Sequence, residues 1–387
     1  MTRGGVAPWT RRCRKGLARA LAVCAGLALA ALLVEGALRF LLFSDFAHAH
    51  GLGWQLRNPS LYAPREAGRE NWKLRVPLGL EDGRRSPDFD ARFGWLTSTI
   101  DPTTLAHVDE ARVGARRPVL LFGDSYAGCV AEAGTCWQDL LEASPLAARY
   151  CLLNYGVGGY GLDQVRLLME PVLARFAERD PLVVVGILVD DDLDRPYLAL
   201  RSFPKPWFTL AGSELVLHGL EHEDANAYLR DHPVGIRSYL WRWFLFGSRL
   251  VPRRAALRWS DEADHVEAKR ALDRRLLEEI ERLLAARGMD SFVVLFHARR
   301  ALEAPGPYSW QEPFLYAAFE ELGIPFVSSK RALRAHLART GLAAEELYLR
   351  SGPGINHYTG ATIGVVFETL RDGIEGRFEP YEYLAER

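Results

Sequence analysis

Several common signals are missing from this sequence. Its five cysteines form no Cys-x-x-Cys pair and no mixed Cys/His spacing, so no zinc site is indicated and no metal or other cofactor is expected. A charge excess of either sign is also missing. Lys and Arg number 48 against 49 Asp and Glu, a formal net charge of -1, whereas nucleic-acid binding normally shows a basic surface. No nucleic-acid partner is expected. Internal repeats and low-complexity tracts are absent too, which argues against a solenoid. What remains, 49% hydrophobic and 25% charged residues over 387 positions, is the composition of a globular protein: one large domain, or one domain with appendages.

The long apolar run is at the N-terminus. Arg3, Arg11, Arg12, Arg14 and Lys15 precede an apolar stretch from Leu17 to Val34; Glu35 and Arg39 interrupt it, and Leu38 to Phe43 is otherwise apolar again. A helix crosses a bilayer with roughly 17–25 apolar residues, and its basic flank stays in the cytoplasm. The reading is a cytoplasmic basic tail over 1–16 and an uncleaved signal-anchor over 17–43. The remainder then lies outside the membrane, periplasmic or extracellular. A cleaved signal peptide with Ala28-Leu29-Ala30 as its site is the rival; the apolar stretch continues past that site, which favours the anchor. Lipidation at Cys24 is discounted, because Val23 before it is too large for the usual lipobox. Disulfides persist outside the cytoplasm. Cys129 and Cys136 therefore either staple the loop after Ser125 or are, with Cys151, small buried thiols.

Residues 44–115 are rich in Gly, Pro and Arg with little periodicity, and read as an extended linker and lead-in. Over 116–375 apolar strands alternate with helical patterns: strands at 119–122, 150–154, 182–189, 292–296 and 325–327, helices at 136–143, 162–177, 262–287, 310–322 and 359–370. Such alternation argues for a mostly parallel sheet with helices on both faces. Residues 196–260 break the rhythm as an irregular insertion. Within it 205–210 and 214–217 read as a hairpin. The aromatic and basic stretch 237–249 reads either as an interfacial segment, resting on the membrane or covering a site, or as a helix docked on the core with its arginines reaching outward. Residues 376–387 form a C-terminal tail.

Four separated pieces carry the chemistry. Gly123-Asp124-Ser125 follows the first strand, Asn154-Tyr155-Gly156-Val157-Gly158-Gly159 the second, and Asp190-Asp191-Asp192 the third; Asn356-His357 precedes the last helix. In a parallel sheet the first three share one edge, where ligands bind. A serine hydroxyl needs a base within hydrogen-bond reach, and His357 supplies an imidazole that titrates near working pH. Glycine-rich turns let backbone amides approach a developing oxyanion, and the amides of Ser125 and Gly159 would serve. The alternating Asp190, Asp192 and Asp194 suggest calcium, but no glycine turn or later glutamate completes a loop. A structural carboxylate cluster capped by Arg195 is the better account.

In these blocks, over roughly residues 90 to 375, the chain resembles the SGNH, or GDSL-type, hydrolases. Phe93-Gly94-Trp95, Asp191-Asp192-Leu193 followed by Lys205-Pro206-Trp207, and Trp310 look like features of membrane-anchored bacterial members. The resemblance implies a flavodoxin-like three-layer α/β/α fold, Ser125 as nucleophile, His357 as base, and Gly159 in the oxyanion hole. Two departures stand out. Ile355 and Gly354 occupy the places where the family usually has the acid that orients its histidine. Asp191 occupies that of an oxyanion-hole asparagine, where an ionised carboxylate would repel the charge to be stabilised. A protonated Asp191 could donate instead, and a main-chain carbonyl could hold the His357 ring, making a Ser-His dyad; the dyad is the expectation. The implied activity is an extracytoplasmic esterase cleaving an acyl ester, with acetyl among the candidate acyl groups. The alternatives are an O-acyltransferase acting on an envelope or exported polysaccharide, and a non-catalytic glycan-binding subunit with a degenerate site.

Overall fold

The structure, a computed structural model, describes residues 8–64, 68–130, 134–260, 265–352 and 354–381, with only the helical backbone for 8–15. Arg3, the side chains of the basic flank, Glu262, Pro353 and residues 382–387 fall outside the described parts. The chain divides into two compact units, residues 1–82 with 232–263, and residues 83–231 with 264–387.

The second unit is built on five parallel strands: β1 Arg117–Phe122, β2 Tyr150–Asn154, β3 Leu182–Leu188, and, after an antiparallel hairpin of β4 Trp207–Ala211 and β5 Glu214–His218, β6 Asp290–Phe296 and β7 Phe326–Ser328. Their spatial order is β7-β6-β3-β1-β2, the flavodoxin-like arrangement in which the strand order reverses between β1 and β3. Every residue of β2 and β3 is buried, as expected of strands covered on both faces.

Two apolar clusters, one on each face, cover the sheet. On one side lie α3 Leu162–Arg175, α6 His265–Ala285 and α7 Gln311–Leu322. On the other are α2 Trp137–Glu142, α8 Ser329–Thr340 and α9 Gly360–Ile374. Helix α8 is the one the periodicity does not announce: Ser329, Lys330 and Leu333 are its buried residues, too few apolar side chains to mark a face.

The first unit contains α1 Pro8–Phe43, which runs unbroken through Ala28-Leu29-Ala30, together with α4 Tyr239–Phe246 and α5 Arg253–Trp259. From Gly16 to Phe43 α1 is long and apolar enough to cross a membrane, and none of its apolar window is buried. A small core joins Leu42, Tyr62, Leu74, Leu78, Ile236 and Tyr239. Two expectations change here. Residues 44–115 are not extended: short helices such as Arg69–Arg75 pack in the first unit, while Phe93, Trp95, Leu96, Ile100 and Leu105 join the core of the second. Residues 232–260, read as part of an insertion, pack with the N-terminal segment. In both stretches the buried side chains are spaced too irregularly to show a period. The described end of the chain also packs, with the Glu379 amide on the Phe326 carbonyl and the Tyr381 hydroxyl on that of Ile324.

Candidate active site

Where β1 stops, Asp124 caps a single helical turn, Ser125–Gly128, by accepting from the Tyr126 amide at 2.8 Å. An N-cap aspartate satisfies an otherwise orphan donor. It also sets Ser125 at the first position of the turn, at the carboxyl edge of the sheet beside the β1/β3 reversal.

The loop before α9 brings His357 to it. The Ser125 Oγ lies 2.7 Å from His357 Nε2, and His357 Nδ1 lies 3.2 Å from the Gly354 carbonyl. A carbonyl only accepts, so Nδ1 carries the proton and Nε2 is left to accept from the serine. The Gly354 main-chain carbonyl thus fixes the tautomer of the ring. Tyr126 braces the arrangement: its hydroxyl donates to the Asn356 carbonyl at 2.7 Å, and its ring centre lies 5.0 Å from that of His357.

The glycine block after β2 is held from outside by side chains. Trp95 Nε1 donates to the Gly158 carbonyl at 3.0 Å, Arg201 Nη1 to that of Gly159 at 3.0 Å, and His107 Nε2 to that of Gly156 at 2.6 Å. His107 also receives the Thr99 hydroxyl at Nδ1, and burial pushes its pKa down, against the pull of the Gly156 carbonyl. A trans peptide points its C=O and N–H in opposite directions. Trp95, by holding the Gly158 carbonyl, therefore turns the Gly159 amide the other way. Gly159 has φ +86°, and a Cβ on Gly156 would collide with the backbone of Ala127 and Gly128. Both positions call for glycine.

The aspartates after β3 part company. Asp190 accepts from the Ala298 amide at 2.9 Å and Asp192 from the Leu188 amide at 2.8 Å. Asp191 Oδ2 takes Arg195 at 2.8 Å and Arg201 at 3.1 Å, so it is occupied as an acceptor and presents no donor. Arg195, almost fully buried, also pairs with Asp192 at 2.6 Å and with Asp124 at 3.2 Å. Burial works against its charge, but Asp192, Asp191 and Asp124 outweigh it and raise its pKa. It is the expected cap of the carboxylate cluster. Cys129 and Cys136 are joined in a disulfide across the loop after Ser125, while Cys151 is a buried free thiol.

Several contributors had no legible signal. His297 is wholly buried, with Nδ1 3.0 Å from Ser329 Oγ and Nε2 3.2 Å from Glu312. The Tyr358 hydroxyl accepts from the His297 amide at 3.0 Å and donates to its carbonyl, tying the residue after His357 to the end of β6. Lone histidines and arginines such as His297, His107 and Arg201 look like any others in sequence. A narrow notch beside the serine is lined by Cys129, Val130, His357, Tyr358 and Ile363. A wider cleft lies at the hairpin, lined by ion-paired Arg166 and Glu279, and contains neither Ser125 nor His357.

The second unit is thus a flavodoxin-like α/β protein with a serine–histidine pair at its switch point. No family model matches the sequence, and no curated protein matches it. Among solved structures it is similar to LAE5, an alpha/beta hydrolase enzyme from the metagenome of Lake Arreo, Spain, at 11% identity and TM-score 0.36, covering 68% of this chain and 97% of that one. It is also similar to Axe2, an acetylxylan esterase from Geobacillus stearothermophilus, at 14% identity and TM-score 0.34, covering 71% of this chain and 100% of that one. Likenesses this distant carry no inference about chemistry.

Proposed function

We propose that the protein is a serine esterase of the SGNH type, anchored by α1 with its catalytic unit outside the cytoplasm. The observation that carries this reading is the 2.7 Å contact between Ser125 Oγ and His357 Nε2, within the reach a general base requires. Ser125 attacks the ester carbonyl as His357 takes its proton; the amides of Ser125 and Gly159 receive the oxyanion. His357 then protonates the leaving alcohol, and water admitted to the same place resolves the acyl-enzyme. The Gly354 carbonyl orients the imidazole but, being neutral, stabilises the imidazolium less than a carboxylate would. Arg195 and Arg201 neutralise Asp191, so its charge does not oppose the oxyanion. The narrow notch favours a small acyl group such as acetyl. The Cys129–Cys136 disulfide supports an oxidising compartment.

A fluorophosphonate probe tests the reading. Labelling of Ser125 that is lost in His357→Ala supports it. A protein that leaves both the probe and an aryl acetate untouched, yet binds glycan, is a non-catalytic subunit. Turnover that rises on adding a glycan acceptor identifies transfer rather than hydrolysis.

A further inference from the structure

The first unit carries a surface that its own core does not explain. The apolar run of α1 from Leu17 to Val34 measures roughly 27 Å at 1.5 Å per residue, close to the ~30 Å of a hydrocarbon core. It ends at Glu35. That carboxylate caps α4, accepting from the Leu240 amide at 2.8 Å, the Ser238 hydroxyl at 3.0 Å and the Tyr239 amide at 3.1 Å. Arg39, one turn on, donates to the Arg237 carbonyl at 2.8 Å. Helix α4 therefore starts at the level where the apolar run stops.

What α4 shows at that level suits a bilayer surface. Tyr239 and Leu245 are buried in the unit, whereas Trp241 is 46% exposed and stacks on Trp259 of α5, itself 57% exposed. Residues 232–260 contain six arginines and no Asp or Glu, and Arg253, Arg254 and Arg258 are exposed beside Trp259. Exposed indoles level with the end of a spanning helix, beside a run of exposed arginines, are the chemistry of an interfacial belt on anionic lipid.

We propose that the α4–α5 face rests on the bilayer α1 crosses, with Trp241 and Trp259 among the headgroups and the arginines on phospholipid phosphates. This rests on reading α1 as a membrane span. The test uses the full-length protein in nanodiscs containing phosphatidylglycerol, its acyl chains either plain or brominated near the carbonyl end. Emission is compared with that of a Trp241→Phe/Trp259→Phe variant whose folding is verified by melting. Emission belonging to these two indoles is quenched on bromination, as indoles at headgroup level should be, and less so once Arg253, Arg254 and Arg258 are changed to Glu. Unquenched indoles in a protein that resists alkaline carbonate extraction overturn the proposal and leave the anchor intact. Release by carbonate removes the anchor, and this surface with it.

Discussion

At the scale of single residues, the site depends on which groups can still accept. His357 has Nδ1 committed to the Gly354 carbonyl, which leaves Nε2 for Ser125. Because the two residues act as one unit, Ser125→Ala and His357→Ala each lower kcat for an aryl acetate by at least about 10³, and the double variant is no worse than either. Trp95 acts one step away. Trp95→Phe keeps the ring but loses the bond to the Gly158 carbonyl, freeing the Gly159 amide to turn; kcat falls roughly tenfold with KM unchanged, since outright loss of an oxyanion donor costs 10²–10³. A merely structural role for Trp95 would lower the melting temperature without that kinetic split.

At the scale of elements, β1, β2 and β3 each end in a loop that contributes a piece, and two devices keep those loops in shape. One is the set of side chains gripping the glycine-block carbonyls. The other is the disulfide after Ser125, spanning a sequence separation of 7. Replacing Cys129 and Cys136 by Ser lowers stability by about 2 kcal/mol, as expected for a short loop. Dithiothreitol then shifts the melting temperature of the parent but not that of the variant. The elements themselves were largely legible. Runs such as Leu182–Leu188 are continuously apolar because both faces are covered, and the strand-end motifs follow from that placement. Helix α8 and the packed stretch 44–115 were not, because a few buried side chains among arginines and prolines make no period.

At the scale of the whole molecule, buried charge sets the response to pH. Asp273 on α6 is fully buried, and neither of its oxygens has a hydrogen-bond partner among the described residues. Burial and the nearby Asp194 push its pKa well up, and Lys269 offsets this only in part. The folded value lies above the unfolded value of about 3.9. Stability linked to this group is therefore complete below pH 4 and is lost as pH rises toward the folded value. Asp273→Asn removes that loss. In denaturant titrations the variant gains on the parent from pH 4 upward, by at most about 1.4 kcal/mol per pH unit.

Local order along the chain was enough to determine the α/β alternation, the long apolar N-terminal helix and the placement of Ser125, Gly159 and His357 beside strand ends or helix starts, because period and turn chemistry are properties of neighbours. Tertiary structure decided which carbonyl faces His357 Nδ1, that Asp191 serves two arginines instead of donating, and that residues 232–260 pack with the N-terminal segment. Those contacts join residues far apart in sequence, whose meeting depends on how the whole chain buries its apolar surface.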